Sequence, residues 1–179
     1  MNIFFEQSFA ELVRLEGGYN DIAEDRGGAT NYGISLRFLK LLPEIEGDID
    51  KNGHVDKEDI KAIDEEDAKK IYFKHFWEHY KIDSFPQHIQ KRLFHTYVNM
   101  RGKTVNRILQ RAIRSASTVP IADDGVLGEE TKKAMDMCRP EALEAAFKSE
   151  QAALYRLIVA KDDSQKIFLK GWLNRAYGD

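Results

Sequence analysis

A single cysteine, Cys138, rules out an internal disulfide framework and the multi-cysteine zinc motifs. Nothing around it looks like an activated thiol, so a small buried residue is expected there rather than a nucleophile. Charge of one sign is also lacking: a formal −3, with no basic run, gives no electrostatic footing for nucleic acid or for a membrane surface. No stretch of about 18 apolar residues occurs, which excludes a membrane-spanning helix of the usual length. The first residues, MNIFFEQSFAELVRLEGG, carry neither a basic leader nor a long apolar core ending in small residues. They are expected to belong to the fold, with synthesis in the cytoplasm without a Sec signal and any work outside it reached by another export route. There is no internal repeat and no low-complexity linker.

What is present is an ordinary globular composition, 42% hydrophobic and 32% charged over 179 residues. That is enough chain for one well-buried domain, or a main lobe with a smaller one. Helical periodicity dominates, so the fold class is mainly α. Helices are expected over 5–16, about 35–42, 64–80, 87–99, 103–114 and about 140–160, with a short terminal helix holding Phe168 and Trp172. Asp64 and Asp67 stand at capping-box spacing. The polar, glycine-bearing stretch YNDIAEDRGGATNYGIS leaves room for a short β-hairpin. A boundary near residues 82–87 divides 1–86, an N-terminal lobe, from 87–179, a helical C-terminal lobe, and the two are expected to form one integrated globular unit.

Within residues 5–16, Phe5, Phe9, Leu12 and Val13 form one stripe, and Glu16 falls inside it, about 20° from Phe5 on the helical wheel. Gly17 and Gly18 should stop the helix at once. Burial and the negative end of the helix dipole would both raise the pKa of such a carboxyl. A carboxylic acid kept protonated near neutral pH is what a glycosidase needs to protonate a leaving oxygen. The alternative is a glutamate at the rim of the stripe, paired with Arg14 or Arg26. Glu150 also falls on an apolar stripe, and there an ion pair with Arg111 or Arg114 is the expected arrangement.

Residues 48–59 have EF-hand loop spacing, with Asp48, Asp50, Asn52, Asp56 and Asp59 at loop positions 1, 3, 5, 9 and 12. Gly53 occupies position 6, where the chain turns sharply, and apolar Val55 position 8. A hard cation wants six or seven oxygens, and alternate residues of one loop can surround it. His54, at position 7, would contribute its backbone carbonyl. Asp59 replaces the usual glutamate, and its shorter side chain makes two-oxygen ligation harder. A structural calcium ion is expected; an acidic turn that merely resembles a site is the alternative.

Glu16-Gly17-Gly18-Tyr19, then Asp25, then Gly27-Gly28-Ala29-Thr30-Asn31-Tyr32-Gly33-Ile34 resembles the signature of the glycoside hydrolase family 108 muramidases. These are lysozyme-like enzymes of phages and some bacteria that cut peptidoglycan. The likeness runs nearly end to end: the calcium-type loop, Ala68 to Tyr72 leading to Trp77, Val98-Asn99, Asp124-Gly125-Val126-Leu127-Gly128 with Thr131, and Phe168 through Gly171-Trp172 to Arg175. Arg26 stands where the family usually has proline and His95 where it usually has aspartate.

The resemblance implies a lysozyme-like helical fold, with a catalytic N-terminal lobe and a C-terminal lobe of peptidoglycan-binding type. It implies Glu16 as catalytic acid, with Asp25 and Thr30 completing a Glu-Asp-Thr order like that of phage-type lysozymes, the last gap here being one residue shorter. Asp25 could hold or deprotonate water, which Thr30 could orient; a turn residue before Gly27-Gly28 is the other use of Asp25. Tyr32 and Asn99 would suit sugar contacts, or could instead be packed core residues. Trp172 is expected in the core. Asp124-Gly125 through Thr131 is either a wall contact or a turn into a helix. The implied partners are peptidoglycan glycan strands, met by a monomer at the cell wall after holin-type release or another export route. A lytic transglycosylase, and a non-catalytic wall-binding or secretion-associated module, are the competing functions.

Overall fold

The computed structural model describes residues 2–20 and 29–178, apart from the side chains of Leu15 and Glu16. The protein is 69% helix, with ten α-helices and one two-stranded antiparallel sheet among the described residues. This matches the expected class, mainly α with a short hairpin. The chain forms two compact units, Met1–Ser84 and Phe85–Asp179.

The first unit opens with α1, Ile3–Glu16, whose first turn is capped by the Asn2 side chain accepting from the Phe5 amide at 2.9 Å. It ends at Gly17, with φ 76° and ψ −168°, a backbone region that is essentially glycine's alone. The expected stripe is real: Phe5, Phe9 and Leu12 are buried, while Val13 is half-buried. The Phe5 ring meets Phe73 at 4.9 Å and Trp77 at 5.4 Å, and Phe9 meets Tyr72 at 5.9 Å. Outside this contact, Glu6 pairs with Lys69 at 2.7 Å, and that hydrogen bond pushes the Lys69 ammonium pKa up.

Strands β1 (Thr30–Asn31) and β2 (Ile34–Ser35) follow, then α2 (Leu36–Leu39), α3 (Glu44–Gly47), α4 (Lys57–Ala62) and α5 (Glu65–Tyr72). Both α4 and α5 begin in capping boxes, Asp56 with Asp59 and Asp64 with Asp67. The helix expected to run on to Tyr80 instead widens into a π-helical segment, Phe73–Glu78. Six rings meet around this stretch, Phe38 and Tyr72 both against Phe76, and Phe73 and Trp77 both against Phe5. That is a tertiary demand which helical periodicity does not encode.

The second unit holds α6 (Gln87–Asn99), α7 (Gly102–Ala116), α8 (Glu129–Asp136), α9 (Pro140–Lys161) and α10 (Lys166–Tyr177). The apolar face of α7, with Val105, Ile108, Leu109, Ala112 and Ile113, is buried, and α9 packs on both α7 and α10. Trp172 is half-buried rather than in the core; it packs against the buried Ala152, Tyr155 and Ala176 and stacks on Tyr155 at 5.2 Å. Glu150 is half-buried, but its expected partners face elsewhere: Arg111 and Arg114 lie 2.6 and 3.6 Å from Asp123 and hold that carboxyl below its usual range. Cys138 is half-buried rather than buried, and desolvation pushes its thiol pKa up.

The Asp124-Gly125 turn is fastened from beneath. The buried Gln110 amide donates to Asp124 and to the Val126 carbonyl, both at 2.9 Å, and accepts from the Gly125 amide at 2.8 Å. Asn106 donates to the Gly125 carbonyl at 2.9 Å and accepts from the Tyr97 hydroxyl at 2.6 Å. Gly125 has φ 81°, and a Cβ there would lie 2.7 Å from Lys103 Cγ and 3.1 Å from its carbonyl oxygen. Gly125→Ala is therefore expected to destabilise the protein by about 1–3 kcal/mol in denaturant titration. A loss below about 0.5 kcal/mol would mean that the turn is not held as described.

Candidate functional site

Glu16 is the last residue of α1, one position before the glycine that turns the chain. Its side chain, and Asp25 entirely, lie outside the described residues. The residues that flank the intervening segment are described and they pair: Asn20 and Thr30 exchange both backbone hydrogen bonds at 2.8 Å. The stretch after Glu16 and the strand carrying Thr30 are thus held side by side. Thr30 is half-buried, with its hydroxyl 3.5 Å from the Asn20 carbonyl, a contact at the outer limit of hydrogen bonding.

The strand turns at Tyr32 and Gly33, with φ 50° and 77°, the positive pair that a two-residue type I′ hairpin requires. Glycine takes this conformation readily, whereas a tyrosine in it is strained by about 1 kcal/mol. Two anchors hold it there. The Tyr72 hydroxyl donates to the Tyr32 carbonyl at 3.0 Å. The buried Asn31 amide donates to the carbonyls of Ile60 and Ile63, at 3.0 and 3.1 Å, where α4 ends. Tyr32 is half-buried at the hairpin tip. Sequence reasoning placed Tyr72 on the apolar face of its helix and Asn31 only within a family motif, with no anchoring role for either; an asparagine directly before a Tyr-Gly turn was the available signal for Asn31.

Asn99 belongs to the second unit and sits exposed on the last residue of α6, not in a core. Its amide donates to the His95 carbonyl at 2.8 Å, and its oxygen accepts from Arg175 at 2.5 Å. Among the described residues, one N–H of that amide has no acceptor.

In the 48–59 loop, ligand oxygens of Asp48, Asp50 and Asp59 lie within 4.8 Å of one another. Oxygens facing each other across a calcium ion at 2.3–2.6 Å are about 5 Å apart, so the spacing suits that ion. The loop is also braced by its own side chains. Asp48 accepts from the Asn52 and Gly53 amides at 3.0 and 2.9 Å, Asp50 from the Asn52 amide at 3.1 Å, and Asn52 from the His54 amide at 2.9 Å. Asp56 caps α4 through the Glu58 amide at 2.8 Å, and His54 is exposed.

Asp59 is fully buried. One oxygen accepts from the Ile49 and Asp50 amides at 2.7 and 3.2 Å, and the other from the Asp56 amide at 2.7 Å. With three of its four lone-pair sites taken, it can offer a metal one oxygen, not two. The shorter residue at position 12 thus ties the two ends of the loop together.

The first unit thus combines a helix that ends at Glu16 with a two-stranded hairpin whose first strand pairs with Asn20. The sequence matches the family described as glycosyl hydrolase 108 over residues 9–100, and a predicted peptidoglycan domain over residues 104–177. The first match spans just over half of the chain, and the protein belongs to glycosyl hydrolase family 108. The two matches together make it a glycoside hydrolase acting on peptidoglycan. No protein of curated function matches the sequence. Among solved structures, SagA of Brucella abortus is similar, with a TM-score of 0.68 and 21% identity over 96% of this chain and 92% of that one. At that identity the likeness carries the fold alone.

Proposed function

We propose that this protein is an N-acetylmuramidase, hydrolysing the β-1,4 bond between N-acetylmuramic acid and N-acetylglucosamine, with Glu16 as the general acid. The observation that carries the proposal is the position of Glu16, at the terminus of a helix that is packed into the core on its Phe5, Phe9 and Leu12 side and stopped by Gly17. In this role Glu16 protonates the leaving oxygen, Asp25 meets the developing charge or activates water, and Thr30 orients that water. Tyr32 supplies a stacking ring, and Asn99 a hydrogen bond to an acetamido group. The protein works as a monomer at the cell wall, after holin-type release or another export route. Neither nucleic acid nor a membrane takes part in this reading.

Mass spectrometry of fragments released from defined peptidoglycan tests the chemistry. Hydrolysis is expected to leave N-acetylmuramic acid reducing ends. Fragments ending in 1,6-anhydro sugars would instead identify a lytic transglycosylase, and binding to sacculi without release a non-catalytic module.

Calcium is proposed as a structural ion in the 48–59 loop, held by Asp48, Asp50, Asn52, Asp56, the His54 carbonyl and one oxygen of Asp59. An ion bound only by the folded state adds stability by mass action. Chelation is therefore expected to lower the melting temperature by several degrees while leaving the pH–rate profile in place. An unchanged melting temperature would remove the ion from the proposal.

A further inference from the structure

The two units carry opposite charge, which the overall −3 conceals. Residues 1–84 hold 11 Lys and Arg against 19 Asp and Glu, whereas residues 85–179 hold 16 against 11. Much of the positive excess lies on α7. Lys103, Arg107, Arg111 and Arg114 are spaced by four, four and three residues, which puts them on one face along about 16 Å of helix. That face lies opposite the buried one. Asp123 is the acid found within 4 Å of it among the described residues, and it contacts Arg111 and Arg114.

Just past Arg114 the helix ends beside a shallow, open pocket of about 380 Å³, lined by Ser115, Ala116, Ser117, Thr118, Met137 and Arg139. Such a volume is at the small end of ligand sites and holds one or two amino-acid or sugar residues. Its chemistry is divided. Arg139, at the N-cap of α9, is exposed and makes no ion pair among the described residues. Ser115 and Thr118 present exposed hydroxyls beside it. Met137, 67% exposed, and Ala116 supply an apolar wall. A guanidinium with hydroxyls matches a carboxylate, and an adjoining thioether and methyl match a small aliphatic side chain.

We propose that this pocket binds the carboxylate-terminated end of a peptidoglycan stem peptide, with Arg139 on the terminal carboxylate and Met137 against the alanyl methyl group. The α7 cations then attract the remaining acidic groups of the stem, whose extended length, about 3.4 Å per residue, is comparable to the α7 row. The identity of the peptide rests on the peptidoglycan reading above; the preference for a carboxylate-ended, alanine-terminated ligand rests on the pocket alone.

The test is calorimetric titration of the full chain with a synthetic stem tetrapeptide ending in D-alanine and with its C-terminal amide. The acid is expected to bind at least tenfold more tightly than the amide. Arg139→Ala should erase that preference, Arg139→Lys should keep part of it, and Met137→Glu, on the exposed rim, should weaken the acid form selectively. Matching thermal melts identify variants that have kept the fold. Equal binding of acid and amide to the parent, or an unchanged preference in both Arg139→Ala and Met137→Glu, would overturn the proposal. Hydrolysis of sacculi without the preference fails the pocket and spares the enzyme, and the preference without hydrolysis does the reverse.

Discussion

Glutamine in place of Glu16 is expected to lower the rate of sacculus solubilisation on the order of 10²–10⁴-fold, the usual contribution of a general acid. The side chain keeps its size and its place at the end of α1 but loses the proton that the leaving oxygen requires. The melting temperature should change little, because the contacts that fasten α1, from Phe5 to Phe73 and Trp77 and from Glu6 to Lys69, lie elsewhere on the helix. Turbidity clearance and fragment release, read beside a thermal melt, check both halves. Activity within a few-fold of the parent would remove Glu16 from the chemistry.

The second large effect is structural. Asp59→Ala is expected to destabilise the protein by about 3–5 kcal/mol, because three backbone N–H groups around a fully buried carboxylate lose their acceptor at once. For a unit of this size that is a fall on the order of 20 °C in melting temperature. The same measurement separates a brace from a metal ligand. If Asp59 acts mainly through Ile49, Asp50 and Asp56, the loss persists in excess chelator. If it acts mainly as a ligand, the loss appears with calcium alone. Asp48→Asn, which keeps one side-chain acceptor for the loop amides but removes a charge, is expected to reduce the calcium-dependent increment and little else.

Much of the architecture is legible in the residues themselves. Phe5, Phe9 and Leu12 recur at helical spacing and are buried together; Asp64 and Asp67 do form a capping box; the glycine-bearing stretch before Ser35 does hold a short hairpin. These are local effects, in which side-chain period, capping hydrogen bonds and backbone preference act within a few residues of one another. The end of that helix at Glu16, just before Gly17, is likewise a matter of counting along the chain.

Other features could not be read this way because their causes lie far apart in the chain. Asp59 reads as a calcium ligand by its position in the loop, yet once α4 folds back the Ile49 and Asp50 amides occupy one of its oxygens and the Asp56 amide the other. Asp124 reads as a wall contact or a turn residue; Gln110 and the Val126 amide use its carboxylate within the turn and hold its pKa below the usual range.

By itself, the sequence determined the helical class, the family and the glutamate at the end of the first helix, because periodicity, glycine stops and motif order are properties of neighbouring residues. Tertiary structure alone decided the π-helical turn under Phe5, the strained seat of Tyr32 and the three amides gathered on Asp59. In each, an aromatic contact or a buried hydrogen bond joins residues distant in the chain, and its stabilisation outweighs the local preference it overrides.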